Sequence, residues 1–286
     1  MHARAALPFK TLTITSITLL SFVFVLFSSL TAKAHELYLE PLDYQVGPEG
    51  RLMINIVNGQ KFRGHKLPYL PQVAVRFDMA GPEGVVPVVS RAGDTPAVDM
   101  QVPAQGGLLV FIYHARNATL TYNDAEKFWD FVEHKDLPVT RAEHAARGLP
   151  ESGFKEVYSR YSKTLVAVGD GAGQDRNFGL LTEIVALANP YTDPVDNGLP
   201  VQLLYQGVPR ANEQLEVFDK DPAGEVTITR LRTDDDGILN VPVTPGHSYM
   251  LDAEVLRLPD PALADETGAS YESLWANLTF AVPVAD

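Results

Sequence analysis

Short apolar or alternating runs, each closed by glycine or proline, recur along the chain from Leu37 onward, and they constrain the fold more than any single motif does. In the first half these are Leu37–Leu39, Leu52–Val57, Val73–Phe77, Ala97–Val102 and Leu108–Tyr113, parted by clusters such as Gly47-Pro48-Glu49-Gly50 and Gly81-Pro82-Glu83-Gly84. Such runs are too short for helices and carry the turn residues that end strands, so they read as β-strands. The same signal returns at even spacing in Val201–Tyr205, Gln214–Phe218, Val226–Leu231, Ile238–Val243, Tyr249–Val255 and Leu274–Val282. Between the two sets lies the turn-rich stretch Asn189–Gly198, which is the expected domain boundary.

Helical periodicity appears in the first half only. Phe128, Phe131 and Val132 share a face behind the candidate caps Asn123 and Asp124, with Pro138 as a stop. Thr140 and Glu143 form a capping-box pattern ahead of a second, polar helix that Gly148 ends. Phe154–Val168 fits a helix or a long strand, with its second half favouring strand. The expected class is therefore mainly β: two β-sandwich-like domains, residues 35–190 and 198–286, with one or two short helices inserted in the first.

The N-terminus reads as an export signal occupying residues 1–34. Arg4 and Lys10 precede an apolar run from Ile17 to Leu30, and Ala32-Lys33-Ala34 offers small residues at the positions a signal peptidase requires. Threonines and serines dilute the start of that run, which leaves it short of the ~20 apolar residues of a membrane span. Cleavage makes the expected mature N-terminus His35 and the expected compartment the periplasm, with no membrane insertion afterwards. It also removes three basic residues and no acid, so the formal charge of −13 becomes more negative still. An acidic surface repels phosphate backbones and anionic lipid, which argues against nucleic acid as a partner and favours cations. The chain contains no cysteine, so burial alone must stabilise it in an oxidising compartment; with 45% hydrophobic residues it has the means.

Five segments in order carry a family resemblance: His35-Glu-Leu-Tyr-Leu-Glu-Pro41, Glu126-Lys-Phe-Trp-Asp-Phe131, Lys155 to Leu165, Leu181-Thr-Glu-Ile-Val185 with Asn189-Pro190, and Trp275-Ala-Asn-Leu-Thr-Phe280. Together they resemble the DUF4198 family of exported proteins, which is associated with nickel and cobalt uptake systems. Gly207-Val-Pro209, Thr233-Asp-Asp-Asp-Gly237 and Pro245-Gly246 before Tyr249 resemble a transthyretin-like or Cna-B-like sandwich, in which Asp-Gly forms a hairpin turn.

A free α-amine on His35 beside its own imidazole would chelate one borderline cation, because an α-amine with a pKa near 7.7–8.0 loses its proton to a metal at little cost. The resemblance points to Ni²⁺ or Co²⁺ ahead of Cu²⁺. No His pair has metal-ligand spacing, so further ligands must meet in space; His114, at the end of an apolar strand, and His247, after a Pro-Gly turn, are the candidates, with His65 in a loop behind them. His134 and His144 each follow a glutamate on a polar helix and read as surface residues. Asp234-Asp235-Asp236-Gly237 lacks the spaced acids of a calcium loop and reads as a turn. Glu156, Arg160 and Lys163 suggest an internal ion-pair network. No nucleophile motif is present, so nothing calls for an enzyme. The expected function is a periplasmic metal-binding accessory that captures a divalent ion and presents it to a membrane transporter component. The competing expectations are a metal-free β-sandwich interaction or carbohydrate-binding module using Tyr38, Trp129, Tyr191 and Tyr205, and, further behind, a copper-dependent oxidase.

Overall fold

The computed structural model describes residues 36–284; the expected signal segment and His35 lie outside them. In chain order the elements are β1 (Glu36–Pro41), β2 (Gln45–Val46), β3 (Arg51–Gln60), β4 (Arg63–Leu67), β5 (Ala74–Gly81), β6 (Gly84–Pro87), β7 (Val98–Gln101), β8 (Gly107–Ala115) and β9 (Ala118–Tyr122), then α1 (Glu126–His134) and α2 (Arg141–Ala146). These are followed by β10 (Phe154–Val168), β11 (Thr182–Ala186), β12 (Leu199–Tyr205), β13 (Val208–Pro209), β14 (Gln214–Lys220), β15 (Val226–Arg232), β16 (Ile238–Val241), β17 (Ser248–Arg257), α3 (Pro261–Thr267) and β18 (Ala269–Ala281). The class is mainly β, with short helices.

A ten-stranded sheet forms the centre, in the order β15-β14-β17-β18-β10-β8-β5-β6, with β2 and β9 also paired to β10. Its two longest strands, β10 and β18, run parallel from Lys155↔Ala269 to Thr164↔Thr279, and every other ladder along that path is antiparallel. The expected boundary at 190–198 falls between β11 and β12, and strands from both sides of it share this sheet.

Each face of the central sheet is covered. On one, Leu165, Leu215, Val217, Leu251, Ala253, Leu274 and Leu278 pack against Ile184, Leu199, Val201 and Leu203 of the sheet β11-β12-β13, to which β16 is also paired. On the other, Phe111, Tyr113, Val166 and Val168 meet Leu37, Leu39, Leu52, Ile54 and Ile56 of the sheet β1-β3-β4. Phe128, Trp129 and Val132 of α1 join Phe154 and Tyr271 in a separate apolar cluster. Sheets buried on both faces lose the hydrophobic-polar alternation of a half-exposed strand. That is why Phe154–Val168 looked ambiguous in sequence: nearly every residue of β10 is buried.

Several local expectations take a definite form here. Thr140 and Glu143 make the full capping box of α2. Helix α1 starts at Glu126 without a side-chain cap, and Asp124 accepts instead from the Glu126 N–H at 3.1 Å. The Asp234–Gly237 turn is real, with Asp234 Oδ1 accepting from the Asp236 and Ile238 amides and Gly237 at φ 70°. It is not a hairpin, however: it carries the chain from β15 in the central sheet to β16 in another.

The Glu156, Arg160 and Lys163 network divides between the faces, because an odd spacing along a strand reverses direction. Lys163 is 1% exposed and pairs with Asp175 at 2.9 Å and Glu183 at 3.0 Å, while Glu183 also accepts from the Phe178 and Leu180 amides. This ammonium ties β10 to the loop leading into β11. Replacing it leaves two buried carboxylates without a counter-ion, so Lys163→Met should lower stability by about 3–5 kcal/mol, measured as a shift in the urea unfolding midpoint.

Candidate functional site

One row of residues runs across four strands of the central sheet: Glu216 on β14 opposes Asp252 on β17, which opposes Asn277 on β18, which opposes Ser162 on β10. The neighbouring row holds Glu254, Trp275 and Arg160. All of these side chains belong to the same sheet face, opposite the one packed on β11 and β12. This face would be apolar in a simple sandwich; here it is polar, and it is buried.

Two elements close over it. Strand β1 is fixed by its own carbonyls, with Ser162 Oγ donating to Leu37 O at 2.5 Å and Thr279 Oγ1 to Leu39 O at 2.7 Å. This brings the Glu36 carboxylate to those of Glu216 and Asp252, and one oxygen from each lies within 4.8 Å of the others. The three residues are 6%, 2% and 1% exposed. The C-terminal end of α1 closes the other side. Lys135 Nζ sits 2.6 Å from Glu216, 2.8 Å from Asp252 and 2.5 Å from Glu254, and 5.2 Å from the centre of the Trp275 ring. His134 Nε2 and Arg230 Nε approach the other Glu216 oxygen at 2.8 and 3.1 Å, and both side chains are about half exposed, so this is the side that faces solvent.

The electrostatics follow from burial. Glu36 is pushed up to about 7, by burial first and then by the Asp252 charge, with Lys135 opposing. Glu254 is raised well above the usual carboxylate range, again by burial, against the pull of Lys135. For Lys135 burial favours the neutral amine, but Asp252, Glu254 and Glu216 together outweigh it and hold the ammonium charged.

The hydrogen bonding is incomplete where it matters. Glu36 Oε2, Asp252 Oδ1 and both amide atoms of Asn277 are buried without a partner. A buried polar atom left unpaired costs about 1–3 kcal/mol, and four such atoms belong to these three residues. Three carboxylate oxygens spaced within one coordination sphere are donors suited to a hard divalent cation; ions with Ni²⁺-like preferences also need nitrogen. His134 is a nitrogen donor at the mouth. The sequence reading that placed His134 on the surface is half right, since its ring is partly exposed yet bonded to the buried Glu216.

The histidines expected as ligands are not brought together. His35 lies outside the described residues, although it is covalently next to Glu36. His114 stacks on Tyr161 with ring centres 4.3 Å apart, on the sheet face away from Asp252. His247 bonds Asp219 at 2.6 Å beyond the start of β17. Tyr161 opposes Ala276, which opposes Ala253; counting strands and residues from there at ~4.8 Å and ~3.3 Å separates His114 from His247 by more than ~20 Å. They cannot share an ion. His65 is exposed on β4. His144, read as a surface residue, is buried, with Tyr271 Oη and the Pro150 carbonyl each 2.9 Å from its ring nitrogens. Of the aromatics proposed as an interaction surface, Tyr38 and Trp129 belong to the core, so no shared exposed face exists for the four. The carboxylate triad itself was missed, because Glu36, Glu216 and Asp252 are far apart in sequence and each looks like the polar member of an alternating strand.

Burial, with a smaller push from Arg76, lowers His114 to about 4. The folded protein thus keeps this ring neutral at a pH where the unfolded chain, with a pKa near 6.5, protonates it. Its contribution to stability is intact above pH ~6.5 and is lost as pH falls from there towards 4. His114→Phe, which preserves stacking on Tyr161, should therefore show a smaller loss of stability between pH 7 and pH 5 than the wild type in urea unfolding.

Comparisons with known proteins identify little beyond the family. No curated protein matches the sequence. A solved structure described as "tetra-tandem repeat in extending region of large adhesion protein" aligns at 12% identity over 86% of this chain and 49% of its own, with a TM-score of 0.20; this chain thus spans about half its length. A family model described as a domain of unknown function matches residues 32–257, a span that holds β1, α1, β10, β14 and β17 and stops short of β18. With that match covering most of its length, the chain belongs to the DUF4198 family.

Proposed function

We propose that this protein captures a divalent metal ion outside the cytoplasm, in the periplasm after removal of residues 1–34, and that it serves the uptake of Ni²⁺ or Co²⁺ through a membrane transporter component. The observation that carries this reading is the buried triad Glu36, Glu216 and Asp252, whose oxygens lie within 4.8 Å of one another. A divalent ion bound at 2.0–2.6 Å by each oxygen has ligands at separations up to about this value. Asn277, which opposes Asp252 on the next strand and has both amide atoms unpartnered, supplies a further oxygen.

Oxygen ligands alone would favour Mg²⁺, Ca²⁺ or Mn²⁺, so selection of a later transition metal rests on nitrogen. Two sources stand close by in the chain or in space. His134 already contacts Glu216. His35 precedes Glu36 directly, and processing after Ala34 would add an α-amine to its imidazole at that point. The acidic composition agrees with a cation as cargo.

Calorimetric titration of the metal-free mature protein, starting at His35, tests this. One Ni²⁺ or Co²⁺ per chain is expected, with Ca²⁺ and Mg²⁺ binding more weakly. Glu36→Gln should weaken binding at least ~10-fold, and so should a single residue retained ahead of His35. Equal affinity in both altered proteins would remove the site from this location, and a preference for Ca²⁺ would remove the transition-metal assignment.

A further inference from the structure

The triad leaves one question open: what neutralises it when no metal is present. Lys135 does so, and its position is unusual. The ammonium has three hydrogens and meets three carboxylates, at 2.5, 2.6 and 2.8 Å, from two adjacent strands. Two of those carboxylates, Glu216 and Asp252, are also members of the metal triad. A divalent ion held by the same two groups would lie a few ångströms from a fixed positive charge, in a buried setting where repulsion is poorly screened. The two cations therefore compete for one place.

Resting on the metal-capture reading, we propose that the site works by cation exchange: the Lys135 ammonium fills the metal position in the metal-free protein, and an incoming divalent ion displaces it, its side chain swinging out beside His134. The helix end itself stays anchored on both sides of Lys135. Upstream, Phe128, Trp129 and Val132 anchor α1 in an apolar cluster. Lys135 itself caps the helix, and Asp136 follows at φ 52°. Downstream, Leu137 belongs to the same cluster, and between these anchors the contacts of this end with the sheet surface are polar and partly exposed: Gln214 donates to the His134 carbonyl at 2.9 Å, Arg230 meets the His134 ring, and Arg232 pairs with Asp136. Exposed polar ties of this kind contribute little individually. The side chain that must leave has a flexible four-carbon stem, and the solvent-facing side of the site lies at the adjacent His134.

Exchange has a functional consequence. The metal-free protein keeps its buried carboxylates neutralised and in place, so the site exists before the ion arrives. The returning ammonium also lowers the net affinity, which suits an ion that must be handed on.

Two measurements on the mature protein test the proposal, using Ni²⁺ and Co²⁺ as probes. In the first, Lys135→Met is titrated beside the wild type; removing the competitor should tighten binding at least tenfold. In the second, wild-type protein is acetylated with an amine-reactive ester with and without metal and mapped by mass spectrometry. Lys135 should be protected without metal and become reactive with it, while exposed Lys61 reacts equally in both. If the wild type binds metal, the variant binds no more tightly and Lys135 stays protected, exchange is wrong while metal capture stands. If neither folded protein binds, both fall together. Binding by the variant alone upholds the competition. Should Lys135→Met fold only when metal is added, that rescue also supports exchange, and the labelling result on the wild type decides independently of the variant.

Discussion

The parallel pairing of β10 with β18 is the contact on which the rest of this molecule depends. The two strands lie far apart in sequence, yet together they supply the middle of a ten-stranded sheet, and segments from both halves of the chain extend it on either side. Parallel neighbours require a long crossover connection, and here the crossover includes β11 to β17 and α3. Because sheets cover both faces of this central layer, nearly every residue of the pair is committed to one of two interiors, and a buried polar residue on either face must find its partner inside the protein.

Lys163 and the Lys135 cluster are two answers to that requirement, placed on opposite faces. Lys163 faces two carboxylates, Asp175 and Glu183, with several backbone amides bound and one Asp175 oxygen left without a hydrogen bond. Around Lys135 the arrangement is different. Acids outnumber the single ammonium at the centre, unpaired oxygens and an unpaired amide remain, and the half-exposed His134 and Arg230 border the group. Buried ion pairs contribute little net stability once desolvation is counted, and an incompletely satisfied one is a cost. What separates the two clusters is the larger number of unpaired buried atoms and the half-exposed border around Lys135.

Much of the fold was legible in the sequence. The strand segments, the turn at Asp234–Gly237, the face of α1 and the capping box at Thr140 all depend on neighbours within a few residues, and each was readable from spacing and turn chemistry. Four of the five segments carrying the family resemblance border the site, although Glu216 and Asp252 lie in none of them: β1 supplies Glu36, α1 leads into Lys135, and β10 and β18 supply Arg160, Ser162, Trp275 and Asn277. Histidine chemistry pointed to His114 and His247 because imidazole is the commonest recognisable ligand. Those two rings instead have local roles, one stacked on Tyr161 and one paired with Asp219.

What the sequence determined by itself is the class of structure, the acidic composition and the family, because composition, short-range periodicity and local motifs encode them directly. Tertiary structure alone decided the grouping of Glu36, Glu216, Asp252 and Asn277 around Lys135. Their meeting depends on the register of four strands and on where β1 and the end of α1 cross them, and a slip of one residue would turn any one of those strands' side chains to the opposite face.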